Sequence, residues 1–86
     1  MYQIKKKREL NPTVTLMEID APLVAAKAEP GQFIILRVDQ DGERIPLTVA
    51  DYDREKGTVT IIFQIVGATT ELLNHKNEGE YIADFV

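Results

Sequence analysis

Glu43-Arg44-Ile45-Pro46-Leu47-Thr48-Val49-Ala50-Asp51 is the stretch whose reading decides the fold. Strand alternation sends Ile45, Leu47 and Val49 to one face, toward a core, and leaves Arg44, Pro46 and Thr48 together on the other. Proline inside a strand removes a ladder donor, so this strand belongs at an edge or a bulge. There Thr48 and the neighbouring backbone can face a ligand, or Arg44 and Pro46 can serve to block edge-to-edge aggregation. The residues alone leave both uses open.

Working outward, Gln32-Phe33-Ile34-Ile35-Leu36-Arg37-Val38 is apolar on successive positions, which marks a central strand. Asp39-Gln40-Asp41-Gly42 is a polar hairpin connection in which Gly42 is free to take a positive φ. On the other side, Tyr52 to Gly57 is a charged turn into Thr58-Val59-Thr60-Ile61-Ile62-Phe63-Gln64-Ile65. Val59, Ile61, Phe63 and Ile65 share its core face, while Ile62 and Gln64 look the other way.

Tyr2 to Leu10 and Thr13 to Asp20 read as a hairpin broken at Asn11-Pro12. The apolar phase of the second strand shifts between Leu16 and Met17, which marks either a bulge or two partly covered faces. Ala21 to Ala28 reads as one short turn of helix or as an extended cover over a barrel end, and Glu29-Pro30-Gly31 is a turn signal. A short helix is expected from Thr69 to His75, followed by a turn at Glu78-Gly79-Glu80 and a last strand from Tyr81 to Val86. Together these predict an all-β fold: a six-stranded antiparallel Greek-key barrel with one short helix. The chain stays strand-like up to Val86, so residues 1–86 are expected to be one domain of a longer polypeptide.

With 86 residues the chain can form one core, and 44% hydrophobic with 28% charged residues is the composition of a soluble globular domain. A net charge of −4 argues against sequence-independent binding to nucleic acid, which needs a basic surface. The one basic run, Lys5-Lys6-Lys7-Arg8, divides between two strand faces and reads as a solvated edge. The absence of cysteine excludes a disulfide, a thiolate metal site or a cysteine-held cluster within the segment. No apolar run approaches transmembrane length and the N-terminus has no signal-peptide pattern, so neither membrane insertion nor export is expected, and the cytoplasm is the expected compartment.

Serine and cysteine are absent and His75 is alone, so no nucleophile–base pair can be assembled. His75 near a helix end reads as structural or solvated, and Asp51 and Asp53 are accounted for by their turn. Any reaction must therefore come from a bound cofactor. The stretch Ile65-Val66-Gly67-Ala68-Thr69-Thr70-Glu71-Leu72-Leu73 runs a strand straight into a helix. Gly67 permits close approach to the backbone, and the hydroxyls of Thr69 and Thr70 with the first helical N–H groups suit an anion such as a pyrophosphate. The same residues also make an ordinary capped turn. Set beside the strand bearing Arg44 and Thr48, the stretch reads as the second wall of one site.

Gly31-Gln32-Phe33, Arg44-Ile45-Pro46-Leu47-Thr48 and Val66-Gly67-Ala68-Thr69-Thr70-Glu71-Leu72-Leu73, in this order, resemble the FAD-binding domain of the ferredoxin–NADP reductase-like superfamily. The resemblance covers essentially the whole chain. It is nearest to the electron-transfer flavoprotein subunits of dihydroorotate dehydrogenase, sulfide dehydrogenase and NADH-dependent ferredoxin:NADP oxidoreductase. It implies that Ile45, Pro46, Leu47 and Thr48 lie along the isoalloxazine, with Thr48 near its redox edge. It further implies that Ile62, Phe63 and Gln64 lie by the ribityl or adenosine portion, and Gly67, Thr69 and Thr70 at the pyrophosphate. The family's strand motif is of the type Arg-x-Tyr-Ser. With Thr48 at its serine, Leu47 falls at the tyrosine and Ile45 at the arginine, and Arg44 stands one residue early. Alternation groups Arg44 with Thr48, which keeps it as a ligand contact. The resemblance also implies an iron–sulfur partner, with a nicotinamide-nucleotide domain for NAD(P) and a [2Fe–2S] cysteine cluster outside these residues. Alone, the segment would hold FAD and carry out no hydride transfer. The contrasting expectation is a non-catalytic small barrel that serves as a protein-interaction module.

Overall fold

A computed structural model describes residues 1–29 and 31–86, so the Pro30 part of the expected Glu29-Pro30-Gly31 turn lies outside the described residues. In chain order the elements are β1 (Tyr2–Asn11), β2 (Val14–Asp20), α1 (Pro22–Lys27), β3 (Phe33–Arg37), β4 (Arg44–Asp53), β5 (Thr58–Gln64), α2 (Ala68–Asn74), β6 (Tyr81–Ile82) and β7 (Asp84–Phe85). They form one seven-stranded antiparallel sheet in the order β6-β1-β2-β5-β4-β3-β7. Only Ala83 separates β6 from β7, so the two edges of the sheet meet there and the sheet curls into a nearly closed barrel. The β3-β4-β5 meander lies beside β2, which is the strand order of a Greek key.

The all-β antiparallel architecture is as the sequence predicts, with two corrections. The described residues form seven strands rather than six, because the Ala83 N–H turns aside to the carbonyls of Arg37 (3.0 Å) and Val38 (3.2 Å). The expected Tyr81–Val86 strand is thereby split, its first half pairing with β1 and its second with β3. There are also two helices rather than one, since Ala21 to Ala28 contains α1. Pro22 stands at the start of α1, where a missing N–H is no loss, and Ala25 is buried beneath it. The Ala21 N–H is anchored on the Gly57 carbonyl at 2.9 Å. Gly57 has φ +70°, and a Cβ there would stand 2.9 Å from Pro22 Cβ, so both its backbone and its contact with α1 call for glycine.

The core is filled from the inward positions of every main strand: Ile4, Met17, Ile19, Ile34, Leu36, Val49, Val59, Ile61, Phe63 and, from the chain end, Ile82 and Phe85. β2 pairs with β5 without a break from Val14↔Gln64 to Asp20↔Thr58, so no bulge lies at Leu16/Met17; the irregularities are in β1. The phase shift has another cause. Thr15 takes an inward position, fully buried, and its Oγ1 donates to Asn74 Oδ1 at 2.6 Å, while Leu16 is half-buried on the outer face.

The basic run is also more than a solvated edge. Lys7 reaches across to the end of α2 and its Nζ donates to the carbonyls of Asn74 and Lys76, where a cation is favoured by the unsatisfied helical carbonyls. Gly42 does not take a positive φ; its N–H closes a turn on the Asp39 carbonyl at 3.1 Å. Among the described residues no helix is long and apolar enough to cross a membrane.

Candidate functional site

β4 and β5 pair only over part of their length. Their ladder runs from Asp53↔Thr58 through Tyr52↔Val59 and Asp51↔Thr60, passes an irregularity, and ends at Val49↔Ile61. Beyond that point Arg44 to Thr48 pair only with β3, and Ile62 to Gln64 only with β2. The two strands therefore part as a wedge whose facing edges have no strand between them.

Alternation of the hydrogen-bonding directions shows which backbone groups line that wedge. The Val49 N–H donates to Gln32 O at 2.7 Å, on the β3 side, so the backbones of Thr48 and Pro46 are directed to the wedge. Pro46 thus lacks its N–H on the edge where no ladder partner exists, which is why a proline is tolerated in a ten-residue strand. On the opposite wall the Ile65 N–H donates to Thr13 O at 2.8 Å, so Ile62 and Gln64 turn their backbones to the wedge and Phe63 turns away.

The side chains follow the same alternation. Ile45 and Leu47 are half-buried against the core, whereas Arg44, Pro46 and Thr48 are exposed on the outer face. In register with them on β3 stand Phe33 opposite Thr48 and Ile35 opposite Pro46, 67% and 37% exposed. With Ile62, 42% exposed on β5, they form an apolar outer surface on both sides of the wedge.

At the wide end of the wedge the chain leaves β5 through Ile65 and Val66 and enters α2 at Gly67. Thr70 Oγ1 accepts from the N–H groups of Val66 (2.9 Å) and Gly67 (3.0 Å) and donates to Gly67 O, so its hydroxyl is consumed in shaping this turn. Thr69 Oγ1 instead donates across the opening to Glu43 Oε1 at 2.9 Å. That bond joins the first residue of the decisive stretch to the glycine–threonine turn. Gly67 is extended, with φ −171°, a conformation any residue adopts, and a Cβ built on it would meet nothing within 4 Å. Its backbone is thus open to approach.

Arg44 lies opposite Arg37, and both guanidinium groups share the Asp84 carboxylate: Arg37 Nη2 at 2.7 Å and Arg44 Nη2 at 3.7 Å. Arg37 Nη1 also donates to Gln40 O, while its buried Nε has no partner.

The structure therefore brings together Arg44, Pro46, Thr48, Ile62, Gln64, Gly67 and Thr69 around one wedge, with Ile45 and Leu47 supporting it from the core side. Thr70 acts within its own turn. Phe63 is the exception: its side chain is 3% exposed in the core and its backbone pairs with Thr15, so neither faces the wedge.

Sequence reasoning gave no role to Glu43, Asp84, Arg37 or Phe33. Asp84 carried a signal, as the one charged residue in the otherwise apolar run Tyr81–Val86. For Glu43 there was none, because its partner is distant in sequence.

Asp53 Oδ1 caps its own turn by accepting from the N–H groups of Glu55 and Lys56, as its position suggests, and His75 closes α2 in an exposed position. An apolar groove of about 440 Å3 lies between α1 and the chain end, lined by Leu23, Val24, Phe33 and Val86 among others.

No family model matches the chain. Over its full length it is 59% identical to an uncharacterised protein of Clostridium beijerinckii encoded in the adh 3′ region, and spans 29% of that protein. Also over its full length it is 43% identical to the dihydroorotate dehydrogenase B (NAD+) electron transfer subunit homolog of Thermotoga maritima, spanning 30% of it. Among solved structures it superposes with a TM-score of 0.96 and 42% identity on a chain of the NADH-dependent reduced ferredoxin–NADP oxidoreductase, described for flavin-based electron bifurcation. All of this chain and 31% of that one are covered. Barrel, wedge and turn thus define a barrel domain of the ferredoxin–NADP reductase-like superfamily. Within that superfamily the chain belongs with the electron transfer subunits of dihydroorotate dehydrogenase B and their homologues. It spans less than a third of the length of the relatives described.

Proposed function

We propose that this chain is the FAD-binding barrel of a flavoprotein oxidoreductase subunit that passes electrons between NAD(P)H and an iron–sulfur partner. The observation that carries this reading is the parted β4–β5 seam, with an apolar outer surface along its walls and the Thr69–Glu43 contact at its mouth. The residues fit the group. A flat ring system needs an apolar, aromatic-lined surface with a few directed polar groups, and a pyrophosphate needs hydroxyl, cationic and backbone donors.

In this reading Pro46 and Thr48 meet the isoalloxazine and Ile45 and Leu47 hold their strand in place. Ile62 and Gln64 border the ribityl or adenosine portion, and Phe63 acts from the core as packing for that wall. Arg44, Gly67 and Thr69 serve the pyrophosphate, in a turn that Thr70 holds. Bound FAD supplies hydride acceptance and the release of electrons one at a time. The chain's own part is to bind and orient, with Thr48 offering a hydroxyl and a backbone N–H near the ring.

The reading further makes residues 1–86 one domain of a longer cytoplasmic polypeptide. Its nicotinamide-nucleotide domain and its [2Fe–2S] cysteines lie outside them, and it works beside an iron–sulfur partner subunit. One observation favours the non-catalytic interaction module instead: the apolar groove, with Leu23 85% exposed at its rim. Purification of the natural full-length protein separates the two. A yellow protein with flavin absorbance that releases FAD on denaturation is expected; no flavin absorbance even after reconstitution with FAD would overturn the proposal.

A further inference from the structure

Two groups that the FAD reading assigns to the pyrophosphate are already engaged, each by a carboxylate of the chain itself. Thr69 Oγ1 donates to Glu43 Oε1 at 2.9 Å, and Arg44 Nη2 stands 3.7 Å from Asp84 Oδ2. A carboxylate and a phosphate offer the same chemistry to a hydroxyl and a guanidinium: anionic oxygens that accept charge-assisted hydrogen bonds. On this basis, and resting on the FAD reading, we propose that Glu43 is an internal competitor for the flavin's pyrophosphate, occupying Thr69 in the ligand-free domain and weakening FAD retention by that occupation.

The exchange is inexpensive on both sides. Glu43 is exposed and returns to water when displaced. The Arg44 side chain is 64% exposed, where an ion pair contributes little, and Asp84 keeps Arg37 at 2.7 Å when Arg44 leaves. Neither carboxylate is left buried and unpaired, so the phosphate's gain is not offset by a desolvation penalty. Glu43 has a second effect of the same sign, because its charge at the mouth repels an incoming dianion until screened by salt. Glu71, in the first turn of α2, adds to that repulsion. Displacement of Glu43 frees the Thr69 hydroxyl but leaves the Thr70 turn intact, so the wall keeps its shape while its contact changes hands.

The test is FAD binding to the full-length protein after removal of flavin, read by quenching of FAD fluorescence, for wild type, Glu43→Gln, Thr69→Val and the double variant. Glu43→Gln should tighten the FAD Kd about three- to tenfold, since a charge-assisted bond to Thr69 is lost together with a like charge. The gain should shrink at high salt. Thr69→Val should weaken binding, and in the double variant most of the Glu43→Gln gain should vanish. Thermal unfolding of the ligand-free Glu43→Gln protein, expected near that of wild type because Glu43 is exposed, verifies the fold. If wild type binds FAD and Glu43→Gln binds no tighter, Glu43 positions Thr69 and the inference is overturned while the FAD reading stands. A wild type that takes up no FAD overturns both.

Discussion

Thr15 occupies an inward position of β2 where the strand pattern asks for an apolar side chain, and there it ties the barrel wall to α2 through Asn74. Thr15 is fully buried and Asn74 partly so, and loss of the hydroxyl removes the donor that Thr15 offers to Asn74 Oδ1. Thr15→Val keeps the shape and removes the donor. It is expected to lower the unfolding free energy by about 0.5–1.5 kcal/mol, measured by urea denaturation, with an unchanged m-value showing that the denatured state is unaffected. An undiminished stability would mean that Asn74 finds another donor. At this scale the sequence was legible wherever a residue acts on its immediate neighbours. Asp53 capping its own turn and Pro46 standing where no ladder donor is called for both follow from residue type. Thr15, Lys7 and Glu43 were not legible, because each meets a partner brought near only by folding: Asn74, the end of α2 and Thr69.

β4 pairs with β3 along its first half, Arg44–Thr48, and with β5 along its second, Val49–Asp53, so each half has a ladder on one side. The wedge side of the first half has the protections of an edge, with Pro46 lacking a donor and Arg44 carrying charge. Pro46→Val restores an N–H to the wedge and adds a β-branched side chain. The flavin-free protein is then expected to self-associate, seen as faster-sedimenting species in analytical ultracentrifugation, and FAD should suppress the association if it covers the same edge. An unchanged sedimentation profile would show that the edge is guarded by other means. Alternation alone identified the two faces of β4, because side-chain period is a property of the strand backbone. It could not show where β4 leaves β5. That depends on the irregularity between Val49 and Asp51 and on the course of β5 into α2, neither of which leaves a mark in residue type.

At the scale of the whole molecule, the sheet curls into a nearly closed barrel through the chain end, and the wedge between β4 and β5 is an opening in its wall. A ligand held there draws on both walls, and damage to either should weaken it. In the full-length protein Arg44→Ala is expected to weaken FAD retention about three- to tenfold through loss of a charge-assisted contact. Gly67→Trp should weaken it by on the order of tenfold or more by filling the space before an open backbone. Both are read by flavin dissociation during dialysis, with far-UV circular dichroism unchanged; retention equal to wild type in both would place the pyrophosphate elsewhere. The sequence by itself determined the core faces of β4 and β5, the all-β class and the two stretches that border the wedge, because these rest on backbone geometry and local residue chemistry. Only the tertiary structure decided that Ala83 divides the last strand, that Ala21 to Ala28 contains a helix, and that Glu43 and Asp84 engage Thr69 and Arg44. The physical reason is that these outcomes depend on which distant groups are brought within hydrogen-bonding reach when the barrel closes, and no local pattern encodes that proximity.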